Sequence, residues 1–591
     1  MCGLAGLMTA DGSPVPAAVL DHLAGAMAHR GPDGTGRVIE NDVGLVQTRL
    51  AIIDLHTGDQ PIRFAGDSPV GTPVLIANAE IYNYVELRRD MDDVAFATKS
   101  DCEPPLHLYR RHGLDFADHL RGMYAIVIYD PALGRLILAR DPFGIKPLYV
   151  AETAAGFAFA SEPRALIAAG LVEPVLRADK RGELLQLQFT TGRETPFAGI
   201  ERLLPGETLA VEGGRIVDRR RRAALPAEGP RSVDADTALD RLDVILEDSV
   251  TVHQRSDVPY GMFLSGGIDS SVVLSLMARL NERPVRAFTV GFPGTEAADE
   301  RDQARAAAAA VGADHVEVEF VEADFWSLLP AVAAAMDDPA ADYAVLPTYK
   351  LAQAARVDDL KVILTGEGGD EMFAGYGRYR RALRPRLLGG RPPWARGILD
   401  GLDVLRDGGT GWRTGIAAAE MAEALPGRTA LQRAQAVDCA GWLPGDLLTK
   451  LDRCLMANGV EGRVPFLDPL VADFALTLPD AMKVHWRLGK WLLRRWLDSG
   501  LPVARPFGRK RGFTVPVEAW MKGRGREIGP LVAAQAGVLE ACRPEAVERL
   551  FAATGARPAK AAWTLLFFAL WHQCHILGHA PAGDAFETLA A

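Results

Sequence analysis

The chain has 591 residues, 48% of them apolar and 24% charged, with a formal net charge of −11. At roughly 150 residues per domain, that length predicts two to four domains of ordinary globular composition. The acidic balance argues against a nucleic-acid scaffold and against a surface built for anionic lipid.

The sequence opens MCGLAGLM, with Cys2 directly behind the initiator methionine. Taken alone, a cysteine in second place supports little. From there to about Val217 the chain reads as short strands and tight turns. Helical periodicity interrupts it at about Val15–Ala28 and Cys102–His112. GLVQTRLAIIDL, TPVLIANAEIYN and GFAFASE are apolar runs of strand length. MYAIVIYDPALGRLILAR (Met123–Arg140) is two such runs around a turn with Pro and Gly, a hairpin signal. Strands with a few helices predict sheet layers with helices packed on them.

Asp218–Asp236, DRRRRAALPAEGPRSVDAD, is charged, then rich in Pro and Gly, and has no apolar period. It reads as a solvated linker rather than a binding patch. From about Ala238 short apolar strands (YGMFLSG, VRAFTVGF, HVEVEF, LKVILTG) alternate with long helical stretches. That alternation predicts a parallel α/β sheet. The expected organisation is a first domain over 1–217, a linker over 218–237 and a second domain over 238–591.

The six cysteines, at 2, 102, 439, 454, 542 and 574, form no C-x-x-C pair. Neither a disulfide framework nor a zinc knuckle is expected, and a reduced, cytoplasmic protein fits best. No basic segment followed by an apolar run opens the chain, so no secretory leader is expected. Ala562–Trp571, AWTLLFFALW, is the nearest thing to a membrane span. It is short of the roughly 18 residues required and reads as a buried helix.

The most informative stretch is GMFLSGGIDSSVVLSLMARL (Gly261–Leu280): a strand, a glycine turn and a helix. Val272, Val273, Leu276 and Leu280 share a helical face. Glycines let backbone N–H groups approach an anion, and the helix N-terminus adds its positive dipole end. Asp269 would repel phosphate directly, so it makes sense with a divalent cation between them. The lysine of the G-x-x-x-x-G-K-[ST] loop is missing.

In this setting S-G-G-x-D-S resembles the pyrophosphate-binding loop of ATP pyrophosphatases that adenylate a carboxylate or carbonyl. Together with MCG at the start, it resembles the glutamine-hydrolysing asparagine synthetases, class II glutamine amidotransferases. Ordered matches run over most of the chain. In the first half they are HRGPDGTG (29–36), TRLAIID (48–54), NAEIYNY (78–84), SDCE (100–103) and ARDPFGIKPLYV (139–150). In the second they are FTVGF, ADYAVLPTY, LTGEGGDEMFAGY, KLDRCLMANGVEGRVPFLD and RKRGFTVP. The resemblance implies an α/β multi-domain fold. An N-terminal αββα N-terminal-nucleophile glutaminase sandwich would precede a C-terminal parallel α/β ATP-pyrophosphatase domain.

The resemblance gives Cys2 a role. Loss of Met1 would leave Cys2 with a free α-amino group, whose pKa lies near 7.7–8.0. That amine can serve as base for its own thiol. Arg49 would bind the glutamine α-carboxylate, with Leu50, Ala51, Ile52 and Ile53 beside it. Glu80 and Asp101 would hold the α-ammonium, and Asn78 with the Ala79 N–H would form the oxyanion hole. The family usually reads N-G-E here. The N–H survives, but the added methyl of Ala79 makes positive φ costly, so the departure bears on glutaminase efficiency.

In the second half, Asp269 and Asp370 are the implied Mg2+ partners. Phe263, Leu264, Ser265, Gly266, Gly267, Ser270, Val290, Thr365 and Gly366 are implied around ATP. Glu367 is implied to form or use the acyl-adenylate, and Lys510 to stabilise negative charge in the transition state. Lys490 is a further basic candidate, and Glu461–Asp468 shapes the site. The implied reaction adenylates aspartate with ATP and amidates it with ammonia from glutamine inside one chain, with a homodimer as a possible assembly on family precedent alone. Three rivals stand beside it: amidation of another carboxylate acceptor, ring closure by an internal amine, and a non-catalytic scaffold. Cys2, Arg49, Asn78, Glu80 and Asp101 together argue against ring closure. Intact SGGIDSS, Glu367 and Lys510 argue against a scaffold.

Overall fold

A computed structural model describes residues 2–66, 71–295, 300–385, 387, 389–407, 409–508 and 515–591. The strands of the first half are β1 (Cys2–Thr9), β2 (Gly34–Glu40), β3 (Val43–Arg49), β4 (Val74–Ile81), β5 (Gly122–Asp130), β6 (Arg135–Arg140), β7 (Tyr149–Thr153), β8 (Gly156–Ala160), β9 (Glu201–Arg202), β10 (Glu207–Glu212) and β11 (Arg215–Arg221). They form two sheets, ordered β2-β3-β1-β8-β7-β9 and β11-β10-β6-β5-β4. The predicted hairpin is present, with β5 antiparallel to β6.

Alternation decides the layering. Leu4, Met8, Leu45, Phe157 and Phe159 point inward from one sheet and meet Ile76, Val127 and Leu138 of the other. Residues of opposite parity pack outward. Ala5 and Leu7 meet Leu20 and Leu23 of the helix Ala17–Ala26. Ile126 and Ile128 meet Leu106 and Leu108 of the helix Pro104–His112. Helix, sheet, sheet and helix thus stack as the αββα sandwich.

The first half does not stop at Val217. β11 runs to Arg221, and two of its four arginines are ion-paired: Arg219 with Glu207, Arg220 with Asp115. The helix Ala235–His253 then begins inside the expected linker, capped by the Asp234 side chain on the N–H groups of Asp236 and Thr237. β11 is an edge strand with exposed side chains, so it carries no apolar pattern to read.

The second half holds β12 (Tyr260–Phe263), β13 (Arg286–Gly291), β14 (Asp314–Glu319), β15 (Val362–Leu364) and β16 (Glu461–Arg463). They form one parallel sheet, β14-β13-β12-β15-β16. Chain order runs outward from β12 to β14, then resumes at β15 on the other side of β12. The carboxyl ends of β12 and β15 therefore flank a topological switch point, where α/β sheets open a crevice. The apolar run Ala562–Trp571 lies in the helix Ala556–His575, with Trp563 and Trp571 fully buried and their indole N–H groups donated to Ala341 O and Met336 O. Among the described residues no helix is long and apolar enough to cross a membrane.

Candidate functional site

Two clusters of candidate residues form, one in each half. The first lies where β1 and β4 begin and end. Cys2 starts β1 and sits opposite Arg49 of β3. Its backbone N–H donates to Asn78 Oδ1 of β4, 3.1 Å away on the facing sheet. This leaves the Asn78 amide Nδ2 fully buried with no hydrogen-bond partner. β4 is the edge strand of its sheet. The N–H groups of Leu75, Ala77 and Ile81 leave that edge to Ile62 O, Gln60 Oε1 and Asp101 Oδ2. Ala79 shares their parity, so its N–H points off the same edge.

Ala79 corrects the expectation about its methyl. It pairs with Tyr124 in extended β4 and is not among the residues with positive φ. The alanine carries no backbone strain here.

The remaining first-half candidates surround this point. Arg49, buried, donates to Asp54 O at 2.6 Å and to Ile53 O at 3.4 Å, and meets the exposed carboxylate of Asp59 at 2.6 Å. These bonds curl Leu50–Ile53 out of β3, so the strand ends at Arg49. Ala51 N–H donates to Asp33 Oδ2, and the Asp257 N–H donates to Ile52 O. Glu80 and Asp101 are both 3% exposed. Burial pushes both carboxyls up, strongly for Glu80, where Arg463 opposes it. Burial also pushes the Cys2 thiol up, opposed by the Leu50 backbone hydrogen bond and the Arg49 charge, which favour the thiolate.

The second cluster lines a cavity of about 880 Å³ at the switch point. Phe263, Leu264, Ser265, Gly266, Gly267, Asp269, Ser270 and Val290 line one side; Thr365, Gly366, Glu367 and Asp370 line the other. The Ser265 hydroxyl accepts from the Gly267 N–H at 3.2 Å and lies 3.0 Å from the Ser270 hydroxyl, which closes the turn. Gly266 takes φ +71, and a Cβ there would press on the backbone of Glu300 and Ala304. Gly366 packs against this loop without slack: a Cβ would lie 2.9 Å from both Asp269 Cβ and Ser270 N.

Asp269 and Asp370 converge on one cation, the buried Lys490 Nζ, which is 2.6 Å from Asp370 Oδ1. Burial works against the Lys490 charge, but the two aspartates raise its pKa overall. Glu367 is pushed up by burial, with Lys450 opposing. Glu371 is pushed up to about 8 by burial, Asp370 and Glu367. Lys510 lies outside the described residues.

Three residues with no individual sequence assignment join the clusters. Arg30, of the HRGPDG motif, donates to Cys2 O at 3.3 Å and to both oxygens of Asp452 at 2.8 and 2.9 Å. Lys450 sits 3.3 Å from Asp342 and 3.9 Å from Glu367. Arg463, fully buried in β16, meets Glu80 at 2.7 Å and Glu461 at 2.6 Å. All three stand inside recognised motifs, which was their only signal.

Comparison with known proteins follows this geometry. The asparagine synthase family model matches residues 241–573, and the glutamine amidotransferase domain model matches residues 1–221. A Mycobacterium tuberculosis protein provisionally named a glutamine-hydrolysing asparagine synthetase is 35% identical, over 97% of this chain and 97% of its own. The glutamine-hydrolysing asparagine synthetase 1 of Bacillus subtilis strain 168 is 31% identical, over 98% and 97%. The glutamine-hydrolysing asparagine synthetase B of Escherichia coli K12 is 29% identical, over 83% and 78%.

Proposed function

The chain belongs to the asparagine synthase family, and we propose on that basis that it is a glutamine-dependent asparagine synthetase with two reaction centres. Residues 1–221 form the glutaminase. With Met1 removed, the α-amine of Cys2 takes the proton from its own thiol. The thiolate attacks the glutamine side-chain amide, ammonia leaves, and water releases glutamate from the thioester. Asn78 Nδ2 and the Ala79 N–H receive the oxyanion; a buried donor without a partner is suited to charge that develops only in the transition state. Arg49 holds the glutamine carboxylate, while Glu80 and Asp101 hold its ammonium.

The second half, from the helix at Ala235 onward, is the synthetase. Ser265–Ser270 cradle the ATP phosphates, with Phe263, Leu264, Val290, Thr365 and Gly366 around the nucleoside. The aspartate β-carboxylate attacks the α-phosphorus and expels pyrophosphate. Ammonia crossing the interface between the halves then displaces AMP to give asparagine. Glu367 orients or deprotonates the incoming ammonia, and Lys510 stabilises the anionic transition state.

Asp269 and Asp370 fit Mg2+. They are hard oxygen donors that already converge on one cation, and among the described residues no three side chains are placed to hold a metal by themselves. The rest of its shell would be phosphate oxygens and water, as Mg2+ prefers. When bound, the ion would neutralise charge on the phosphates. The six cysteines, all free, suit a cytoplasmic enzyme.

The observation that carries the reading is the orphaned Asn78 amide beside Cys2, in the same chain as the SGGIDSS cavity. The test uses the full chain with glutamine, ATP and Mg2+, with and without aspartate. Glutamate and pyrophosphate are followed and the product identified by mass. Aspartate-dependent pyrophosphate with asparagine formed is expected. Glutamate release with no aspartate-dependent pyrophosphate would move the reading to another carboxylate acceptor.

A further inference from the structure

Arg463 connects the two clusters through an ion pair on one side and a main-chain hydrogen bond on the other. Its side chain is fully buried and divided between the halves. One end meets Glu80 Oε2 of β4 at 2.7 Å. Its Nε donates to Glu461 Oε1 at 2.6 Å, and Nη1 donates to His253 O and Arg255 O at 2.8 and 2.7 Å. Its main chain belongs to the synthetase sheet: Arg463 pairs with Leu364, and its carbonyl accepts the Thr365 N–H at 2.9 Å. Thr365 leads into Gly366, which packs on Asp269 and Ser270 without room for a methyl.

We propose that Arg463 is a positioning residue through which occupancy of the glutamine site sets the geometry of the nucleotide loop. The proposal rests on the two-site reading above. Burial pushes the Glu80 carboxyl up, and without glutamine it is the Arg463 guanidinium 2.7 Å away that opposes this and balances the carboxylate. An ammonium docking on Glu80 supplies a second cation. Attraction between Glu80 and Arg463 is then shared, and the guanidinium settles toward Glu461 and the two carbonyls. Those partners all lie in the second half, so the shift loads β16. The Arg463 carbonyl passes it to Thr365, and the close contact at Gly366 passes it to the SGGIDSS loop. No other side chain is needed between Glu80 and Thr365.

Arg463→Lys keeps the charge but cannot span Glu80, Glu461 and two carbonyls at once. Full-length wild type and variant are compared by glutamate released per pyrophosphate, by ammonia-driven synthesis, and by glutaminase rate against glutamine concentration with and without ATP and aspartate. The variant is expected to release at least about fivefold more glutamate per pyrophosphate, within the range of a modest coupling energy. Its ammonia-driven kcat should stay within about twofold of wild type, because the Arg463 carbonyl is retained. By reciprocity, ATP and aspartate are expected to alter the apparent glutamine affinity of wild type, and the variant should lose that change. An unchanged glutamate-to-pyrophosphate ratio, with both activities reduced in parallel, would mark Arg463 as merely structural and overturn the proposal. Glu461→Gln removes the anchor on the other side and should raise the same ratio, which keeps the test open if Arg463→Lys does not fold. Wild type with no aspartate-dependent pyrophosphate would refute the two-site reading itself, a failure visible before any variant is measured.

Discussion

Lys490 Nζ lies between Asp269 and Asp370, 2.6 Å from the latter, and joins the SGGIDSS loop to the GGDE turn. The two loops follow neighbouring strands, β12 and β15, but Lys490 comes from a distant segment and sits at the start of the helix Trp491–Gly500. Two carboxylates drawn to one point repel each other, and the ammonium between them offsets that repulsion. On the proposed reading, a bound nucleotide with its cation would compete for the same aspartates and offer Lys490 phosphate oxygens in exchange.

Lys490→Met removes that exchange. The apparent KM for ATP in ammonia-driven synthesis is expected to rise about tenfold, the equivalent of about 1.4 kcal/mol. Glutaminase activity should be unchanged, since no first-half candidate touches Lys490. Steady-state pyrophosphate release against ATP concentration reads the first, and glutamate release without ATP reads the second. An unaltered ATP KM would mean that Lys490 only balances charge in the resting enzyme.

Asn78 and its neighbour Ala79 make opposite predictions. Asn78→Ala deletes the buried Nδ2 donor, so glutaminase kcat is expected to fall about 10²–10³-fold with little change in glutamine KM. The variant should keep ammonia-driven synthesis. Ala79→Gly restores the residue seen more often in the family, yet Ala79 already adopts extended backbone in β4. Its glutaminase rate is therefore expected to stay within about twofold of wild type, while the flexible glycine lowers stability by roughly 0.5–1 kcal/mol. Glutamate release and a denaturant midpoint check the pair together. A large rate gain in Ala79→Gly would show that the methyl obstructs the oxyanion position.

These residues also mark what the sequence could reveal. Cys2, the β5–β6 hairpin and SGGIDSS are local: a few consecutive residues carry the whole signal, and the structure builds each from its own neighbourhood. Among the described residues, the candidates of each half come together because their strands do. Arg30 and Arg463 are different. Arg30 meets Asp452 across 422 positions, and Arg463 reaches from β16 to Glu80. Nothing local distinguishes such an arginine from a surface charge, because its burial is created by the docking of the halves. The basic stretch after Val217 misled for the complementary reason. An exposed edge strand needs no apolar face, so β11 has the composition of a linker. Ala79 misled because a glycine frequent in a family need not be demanded by the backbone.

The interface between the halves should also report its protonation. His253 ends the helix Ala235–His253, is 1% exposed and packs, tilted by 39°, against Tyr82 of the first half with ring centroids 4.0 Å apart. Its Nδ1 lies 2.8 Å from Ser249 O. Burial drives its pKa down to about 3, with the Arg463 and Arg121 charges adding to the effect and the Ser249 carbonyl and Glu461 opposing it. An unfolded histidine titrates near 6.5. Above that pH both states are neutral and the residue adds no pH dependence. Below it the unfolded chain takes up a proton that the folded chain refuses until about pH 3. Stability attributable to His253 is therefore complete above pH 6.5 and falls as pH drops toward 3. Between pH 7 and 4.5 the loss amounts to about 2–3 kcal/mol at 1.36 kcal/mol per pH unit. His253→Gln cannot take up this proton. Denaturant midpoints at pH 7 and 4.5 should show wild type losing about 2–3 kcal/mol more than the variant, whatever the other groups contribute to both. Parallel losses would mean that His253 is protonated in the folded enzyme at pH 4.5 and that its contact with Tyr82 tolerates the charge.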